Sequence, residues 1–255
     1  MTHQVYQSFV EAKNLNEKKF AVLIDPDEVK TDNIDQIINM ANNSQVDCFF
    51  VGGSLVVDDA LNFCIHTIKQ NSDIPIILFP GSTLQIHHKA DAILFLSLIS
   101  GRNSDLLIGK HVESAPILYR SPLEILPTGY MLIDGGVPTT ASYMSNTFPI
   151  PYHKVEIAIC TALAGEMLGL KLIFMDAGSG AKMPISEKMI AGVSSHISIP
   201  LIVGGGIRTP EKALANVKAG ADIVVVGNAI EKDPLLLREL SNAVHSMNVP
   251  VVSNG

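Results

Sequence analysis

The chain has 255 residues, 47% of them hydrophobic and 17% charged, a balance that excludes a disordered protein and supplies a sizeable core. Its formal net charge is −7 with only 18 lysines and arginines, so no basic stretch can neutralise a nucleic-acid backbone. No run approaches the ~18–20 uninterrupted apolar residues of a membrane span, and the N-terminal residues lack the apolar centre of a signal peptide, so cytoplasmic residence is expected.

Strand-like apolar runs recur with helical segments between them, the rhythm of βαβ units in a parallel sheet. Strands are predicted at 20–25, 48–52, 75–79, 92–98, 128–133, 171–176, 200–204 and 223–227, nearly continuous in apolar content as for strands buried on both faces. Helices are predicted over 31–43, 57–70, 104–115, 153–168, 185–194, 210–219 and 234–246. Their start signals include Thr31 or Asp32, Thr209-Pro210 and Asp233-Pro234. Eight strands without a composition break give one domain, 1–255, and favour a closed (β/α)8 barrel of the TIM type over a doubly wound sheet. Between the third and fourth strands only PGSTLQIHHKAD (80–91) remains, too little for loop, full helix and loop. The third helix is therefore expected to be a stub or replaced by extended chain. The irregular stretch 133–154 follows the fifth strand, at the face where barrel enzymes hold their sites. Cys48, Cys64 and Cys160 read as reduced core thiols, and His87 with His88 as a solvated loop.

Near the C-terminus two apolar runs end abruptly on glycine, PLIVGGGIRTPEKALANVKAGAD (200–222) and IVVVGNAIEKDP (223–234). Glycines there let a phosphate approach bare backbone N–H groups, and the helix start behind them adds favourable partial charge. FMDAGSGA (174–181) repeats the theme after the sixth strand, with Ser179 and the amides of Gly178 and Gly180 as further donors. Three such loops on successive strands point to a phosphorylated ligand. Asp176 beside them is a candidate general base for a substrate hydroxyl, or a structural acceptor for loop amides. LIDPDEV (23–29) puts Asp25 at the end of the first strand, with Asp27 in a turn beside Pro26, and VGGS (51–54) puts Ser54 at the equivalent point of the second. A hard cation such as Mg2+ prefers oxygen and typically takes one or two protein ligands plus substrate phosphates, which Asp25 and Ser54 would suit. Arg208 and Arg102 are each placed to pair with a second phosphate group or to sit exposed at a helix start.

The combination of LIDPD (23–27), GGS (52–54), LFPGS (78–82), LFLSLISGRN (94–103), PTGYMLIDGG (127–136), AGSGA (177–181), VGGGIRTPE (203–211) and VGNAIE (226–231) resembles the geranylgeranylglyceryl phosphate synthase family. These prenyltransferases make the first ether bond of archaeal-type lipids. The glycine loops alone are shared by many phosphate-binding barrels; their combination with LIDPD, GGS and the fourth-strand block is specific. The resemblance implies a Mg2+-dependent transfer of a long polyprenyl group, with geranylgeranyl diphosphate the leading donor, to the 3-hydroxyl of sn-glycerol 1-phosphate. It implies Asp25 and Ser54 as magnesium positions. It implies Phe174, Met175, Asp176, Ala177, Gly178, Ser179 and Gly180, with Gly205, Gly206, Gly227 and Asn228, as the glycerol 1-phosphate site. Asp176 would then be the catalytic base. The family's barrel also has a replaced third helix, which would leave a groove for the hydrocarbon tail, with Phe79, Leu96, Leu98, Ile99 and Tyr130 as candidate walls.

Two departures stand out: where the family's usual motif is Tyr-Leu-Glu-Ala-Gly-Ser-Gly, this chain has Phe174 without the hydroxyl and Asp176 one methylene shorter than glutamate. Two other readings remain open on the residues alone. One is a barrel isomerase or synthase acting on a soluble phosphorylated metabolite, and the other is a catalytically silent lipid-phosphate binder. A homo-oligomer is expected because a gap in the helical ring favours burial against a partner, and transient membrane contact would serve release of a lipid product.

Overall fold

Every predicted strand forms: Lys19–Ile24 (β1), Cys48–Val51 (β2), Ile76–Leu78 (β3), Ala92–Leu98 (β4), Glu124–Leu132 (β5), Leu172–Asp176 (β6), Leu201–Gly204 (β7) and Ile223–Val226 (β8). Each pairs in parallel with the next, and β8 pairs with β1, closing the sheet into a barrel. The computed structural model describes residues 4–28, 31–56 and 60–248. The helices are Gln4–Asn14 (α1), Thr31–Asn42 (α2), Ala60–Asn71 (α3), Lys110–Tyr119 (α4), Thr140–Ser145 (α5), Val155–Met167 (α6), Glu187–Ser194 (α7), Pro210–Lys218 (α8), Asn228–Lys232 (α9) and Leu236–His245 (α10), with a π-helical turn at Asp105–Gly109 leading into α4. Helix α1 and the short helices α5 and α9 have no counterpart among the predicted ones. Thr209 caps α8 as expected, its hydroxyl accepting from the Lys212 N–H at 3.3 Å. The cap expected at Thr31 or Asp32, and the helix start expected at 57–59, lie outside the described residues and side chains.

Strand alternation sorts the apolar residues into two layers. Val22, Ile24, Phe49, Val51, Ile173 and Met175 face outward and pack under the helices. Ala21, Cys48, Phe50, Ile77, Leu94, Leu172, Phe174, Ile202 and Val225 fill the barrel interior. Between β3 and β4, residues 79–91 form no helix, as the short connection requires. Pairing of β3 with β4 stops at Leu78↔Ile93, so the C-terminal half of β4 lacks a strand neighbour on that side. Cys48 and Cys64 are buried free thiols, but Cys160 is exposed. The reading of Cys160 as a core thiol is thus corrected: α6 is apolar around its whole circumference, so an apolar neighbourhood in sequence did not distinguish its covered face from its open one. Among the described residues no helix is long and apolar enough to cross a membrane.

The N-terminal end of the barrel is stoppered by α1, whose Val5 and Phe9 join the interior cluster. Glu124, the first residue of β5, is buried and accepts the Val5 N–H at 2.8 Å and the Tyr6 N–H at 3.0 Å. A carboxylate there satisfies amides that the first turn of a helix cannot pair internally, and it faces the positive end of the helix dipole. Glu124→Ala strands these amides, a loss of about 1–3 kcal/mol. The melting temperature should fall by roughly 3–10 °C in a thermal scan; an unchanged midpoint would show that α1 docks without this contact.

Candidate active site

Closure and alternation fix which side chains reach the C-terminal mouth. On β6, Leu172 and Phe174 point inward, so Asp176, two residues on, ends the same inward column. On β1 the inward column of Ala21 and Leu23 leads to Asp25.

Asp176 is 8% exposed. Its Oδ2 accepts the Tyr130 hydroxyl at 2.6 Å and its Oδ1 the Gly178 N–H at 2.7 Å. Burial raises its pKa above the usual carboxylate range, opposed by the Tyr130 and Gly178 hydrogen bonds. Beneath it lies an aromatic floor. Phe174, 1% exposed, stacks on Phe79 at 5.2 Å between ring centres and meets Tyr130 edge-on at 5.6 Å. These rings desolvate the carboxylate from below. They also place a hydroxyl beside it from β5, next door to Phe174, which carries none.

The glycine loops converge above this floor. Gly205 has φ +84°, and a Cβ on it would stand 2.6 Å from both the Ala177 nitrogen and Asp176 Oδ1. Gly178, Gly180 and Gly206 also adopt positive φ. Ser179 Oγ donates to Asn228 Oδ1 at 3.0 Å, tying the loop after β6 to the one after β8. Among the described residues the N–H groups of Gly205, Gly206, Gly227 and Asn228 meet no protein acceptor. Concave, donor-rich backbone of this kind is what a phosphate requires. Met175 and Ala177 point outward into the strand–helix layer, so only their backbones face the cradle. Arg208 Nη2 donates to the Ala181 carbonyl at 2.6 Å, and Arg102 Nη1 to the Gly101 carbonyl at 2.7 Å. The nearer guanidinium therefore braces the cradle's own loop.

Across the mouth, Asp25 Oδ1 accepts the Asp27 N–H at 3.2 Å, closing the turn that holds Pro26. A Cβ on Gly53 would lie 2.7 Å from Asp25 Oδ2, which places the loop bearing Ser54 directly against the carboxylate. Gln85 holds that loop: its Nε2 donates to the Gly53 carbonyl at 3.0 Å and its Oε1 accepts the Gly81 N–H at 3.2 Å. Glu231 of α9 approaches from the other side, its Oε1 accepting the Asp25 N–H at 3.2 Å. Burial lifts Asp25 to about 6, with the Asp27 and Glu28 charges adding to it, and lifts Glu231 to about 7. Among the described residues no lysine or arginine pairs with either carboxylate. Desolvated carboxylate oxygens without a basic partner, next to a serine, are a donor set that fits a hard divalent cation. Sequence reasoning assigned no role to Gln85 or to Glu231, the last residue of VGNAIE, because the Gln85–Gly53 and Glu231–Asp25 contacts join residues distant along the chain.

From Ser54 an apolar groove runs past Phe79 and Tyr130, along Leu96 and Leu98, to Ile86, Phe95, His111 and Leu118. It uses both the inward Leu94 and the outward Ile93 and Phe95, because it passes where β4 has lost its β3 neighbour. His111 meets the Phe95 ring edge-on at 4.4 Å, and burial lowers its pKa, which favours a neutral ring. Of the expected wall residues, Phe79, Leu96, Leu98 and Tyr130 line the groove. Ile99 does not: its Cδ1 fills the gap between Gly129 and Gly165, under α6.

The fold and site define a phosphate-binding (β/α)8 barrel with an apolar groove beside its mouth. The chain belongs to the PcrB family, whose model matches residues 13–246. It is 56% identical over 246 residues to the geranylgeranylglyceryl phosphate synthase of Chitinophaga pinensis, covering 96% of this chain and 98% of that one. It is 55% identical over 235 residues to the synthase of the same name from Spirosoma linguale, covering 92% and 94%. The crystal structure of (S)-3-O-geranylgeranylglyceryl phosphate synthase from Thermoplasma acidophilum, in complex with its substrate sn-glycerol-1-phosphate, superposes with a TM-score of 0.89 at 33% identity, covering 95% of this chain and 98% of that one.

Two glycines separate cradle geometry from backbone strain. A Cβ at Gly180 (φ +78°) meets nothing within 4 Å, whereas one at Gly205 enters the cradle. Both alanine variants should lose about 1–3 kcal/mol of stability from the positive φ. Only Gly205→Ala should lose binding of sn-glycerol 1-phosphate in calorimetry; equal losses would place the phosphate elsewhere.

Proposed function

We propose that this chain is a prenyltransferase of the geranylgeranylglyceryl phosphate synthase type, joining a long polyprenyl diphosphate to the 3-hydroxyl of sn-glycerol 1-phosphate. The observation that carries this reading is the double role of Tyr130. It lines the apolar groove and also hydrogen-bonds the buried Asp176 at the edge of the glycine cradle. One residue thus marks where a hydrocarbon chain and a phosphorylated polyol would meet. A soluble-metabolite isomerase would have no use for the groove.

The loops after β6, β7 and β8 would grip the phosphate through backbone amides and so turn the glycerol hydroxyl towards Asp176. The groove would take the prenyl chain, each buried CH2 contributing ~0.8 kcal/mol, and would keep water from the allylic carbon. In the reaction the hydroxyl oxygen forms a bond to that carbon, the carbon–oxygen bond to diphosphate breaks, and the hydroxyl proton passes to the Asp176 carboxylate. A base with a raised pKa holds that proton better than an ordinary aspartate. Asp25 and Ser54 would hold Mg2+, which when bound supplies positive charge to the leaving diphosphate.

Cytoplasmic residence and self-association belong to the same reading. Ile157, Cys160 and Met167 of α6, with Leu168 just beyond its end, form an exposed, largely apolar stripe that a second copy could cover. The chain weighs 27.4 kDa, so light scattering should return a multiple of that mass; a monomer would overturn the oligomer without touching the chemistry.

Incubation with radiolabelled sn-glycerol 1-phosphate, Mg2+ and a prenyl diphosphate series should yield butanol-extractable label. Binding without extractable product would make the protein a silent binder. Label confined to a new water-soluble product would make it an enzyme of phosphorylated metabolites.

Asp176 also links activity to stability. Its raised pKa means that the fold favours the neutral form, so its contribution to stability is full below the unfolded pKa and is lost as pH rises through the folded one. Asp176→Asn should therefore melt no lower than wild type at pH 7 while losing about 10²–10⁴-fold in turnover. Wild-type activity should fall on acidification at a pH above the ordinary aspartate value. Asp176→Asn with most of its turnover intact would move the base elsewhere.

A further inference from the structure

The contacts across the barrel mouth form a continuous path from the phosphate cradle to the Asp25 corner. Ser179 binds Asn228. In the same turn the Gly227 carbonyl accepts the Ile230 N–H at 2.8 Å and the Glu231 N–H at 3.2 Å, so Gly227, Asn228 and Glu231 move as one unit. Glu231 then reaches over to the Asp25 N–H, and the Asp25 side chain rests against Gly53. Glu231 is half-buried, and α9 carries it back over the end of β1 although the two residues lie 206 positions apart.

We propose that Glu231 is a positioning residue that holds the Asp25 backbone to the glycerol-phosphate turn, so that the polyol and diphosphate subsites keep a fixed separation. The proposal rests on the reading of Asp25 and of the glycine loops given above. Physically, an in-line displacement between two separately bound substrates tolerates little change in their distance. A misplacement of about 1 Å can cost on the order of 10²-fold in rate. At the start of the loop after β1 the Asp25 N–H donates to Glu231, while the Asp25 carboxylate accepts the Asp27 N–H within its own turn. The glycerol-phosphate turn, by contrast, is also held by Ser179. Loss of the Glu231 acceptor should therefore release the Asp25 side and leave the phosphate side in place.

The test compares E231M, which keeps bulk and removes the acceptor, and E231A with E231Q, whose side-chain carbonyl can still accept the Asp25 N–H. Three readouts are needed on each purified, full-length variant: binding of Mg2+–pyrophosphate by calorimetry, binding of sn-glycerol 1-phosphate by the same method, and hydrogen exchange of the peptide containing Asp25. In E231M and E231A, Mg2+–pyrophosphate should bind about tenfold more weakly and the Asp25 amide should exchange about tenfold faster, the scale of one hydrogen bond to a charged acceptor. Binding of sn-glycerol 1-phosphate should stay within about twofold, and E231Q should recover most of both losses. Unchanged pyrophosphate binding and exchange in E231M and E231A overturn the proposal. So does equal weakening of sn-glycerol 1-phosphate, which would make Glu231 a general support of α9. So does an E231Q as weak as E231M, which would mean that the charge and not the acceptor matters. A wild-type protein that binds neither ligand overturns the underlying reading of the site and this inference with it.

Discussion

A closed barrel of parallel strands leaves each side chain two choices, inside or outside, and the choice alternates without exception along a strand. The carboxylates of this protein's interior obey that constraint by keeping to its two ends. Glu124 sits at the bottom of β5, where the amides of α1 meet it. Asp176 sits at the top of β6, where Tyr130 and Gly178 meet it. Between them the interior is filled by Phe50, Leu94, Phe174, Ile202 and Val225. A buried carboxylate without donors would cost several kcal/mol. Each of these two has its donors supplied by a neighbouring element, and the same partners also orient it.

The second determinant is the interruption beside β3. A three-residue strand and the absence of a helix over 79–91 open the wall along β4, and the groove uses both faces of that strand. The helical ring does not simply lose a member there. Gln85, buried within the replacing loop, pins Gly53 and Gly81 and so gives the Ser54 loop a firm back wall. The sequence change that creates room for a hydrocarbon chain also furnishes support for the residues at its charged end.

The eight strands were legible because doubly buried strands write themselves as apolar runs of fixed length, and the missing helix because twelve residues cannot hold one. The glycine loops were legible because chain reversal under a phosphate leaves few residues to choose from. Other features were not, for identifiable reasons. Met175 belongs to the same short motif as Asp176, but its outward parity emerges only once the strand's inward face is known. The short α9 is a single helical stretch without a distinct apolar period, and Glu231 gains meaning only when β8 closes on β1. Arg208 read as a partner for a second phosphate group or as an exposed residue at a helix start, yet its guanidinium donates to the Ala181 carbonyl, a contact between loops that sequence spacing does not encode. Tyr130 read as a wall residue, and its hydroxyl acquires a chemical partner through the register that sets it beside Phe174.

The stopper at the bottom of the barrel has a consequence for the order of assembly. Its helix precedes β1 in the chain, but its docking partner Glu124 lies 119 residues downstream from Val5. Its base is also bound into a cluster where Lys13 and Lys18 meet Asp222, the last of these 204 residues after Lys18. This helix must therefore wait for residues as far on as Asp222 before its seat is complete. Contacts this distant in sequence slow folding, because the loop must close before the contacts reward it. Until β8 arrives β1 keeps an open edge, and until α1 seats Val5 and Phe9 stay uncovered, so the partly folded chain carries an adhesive surface.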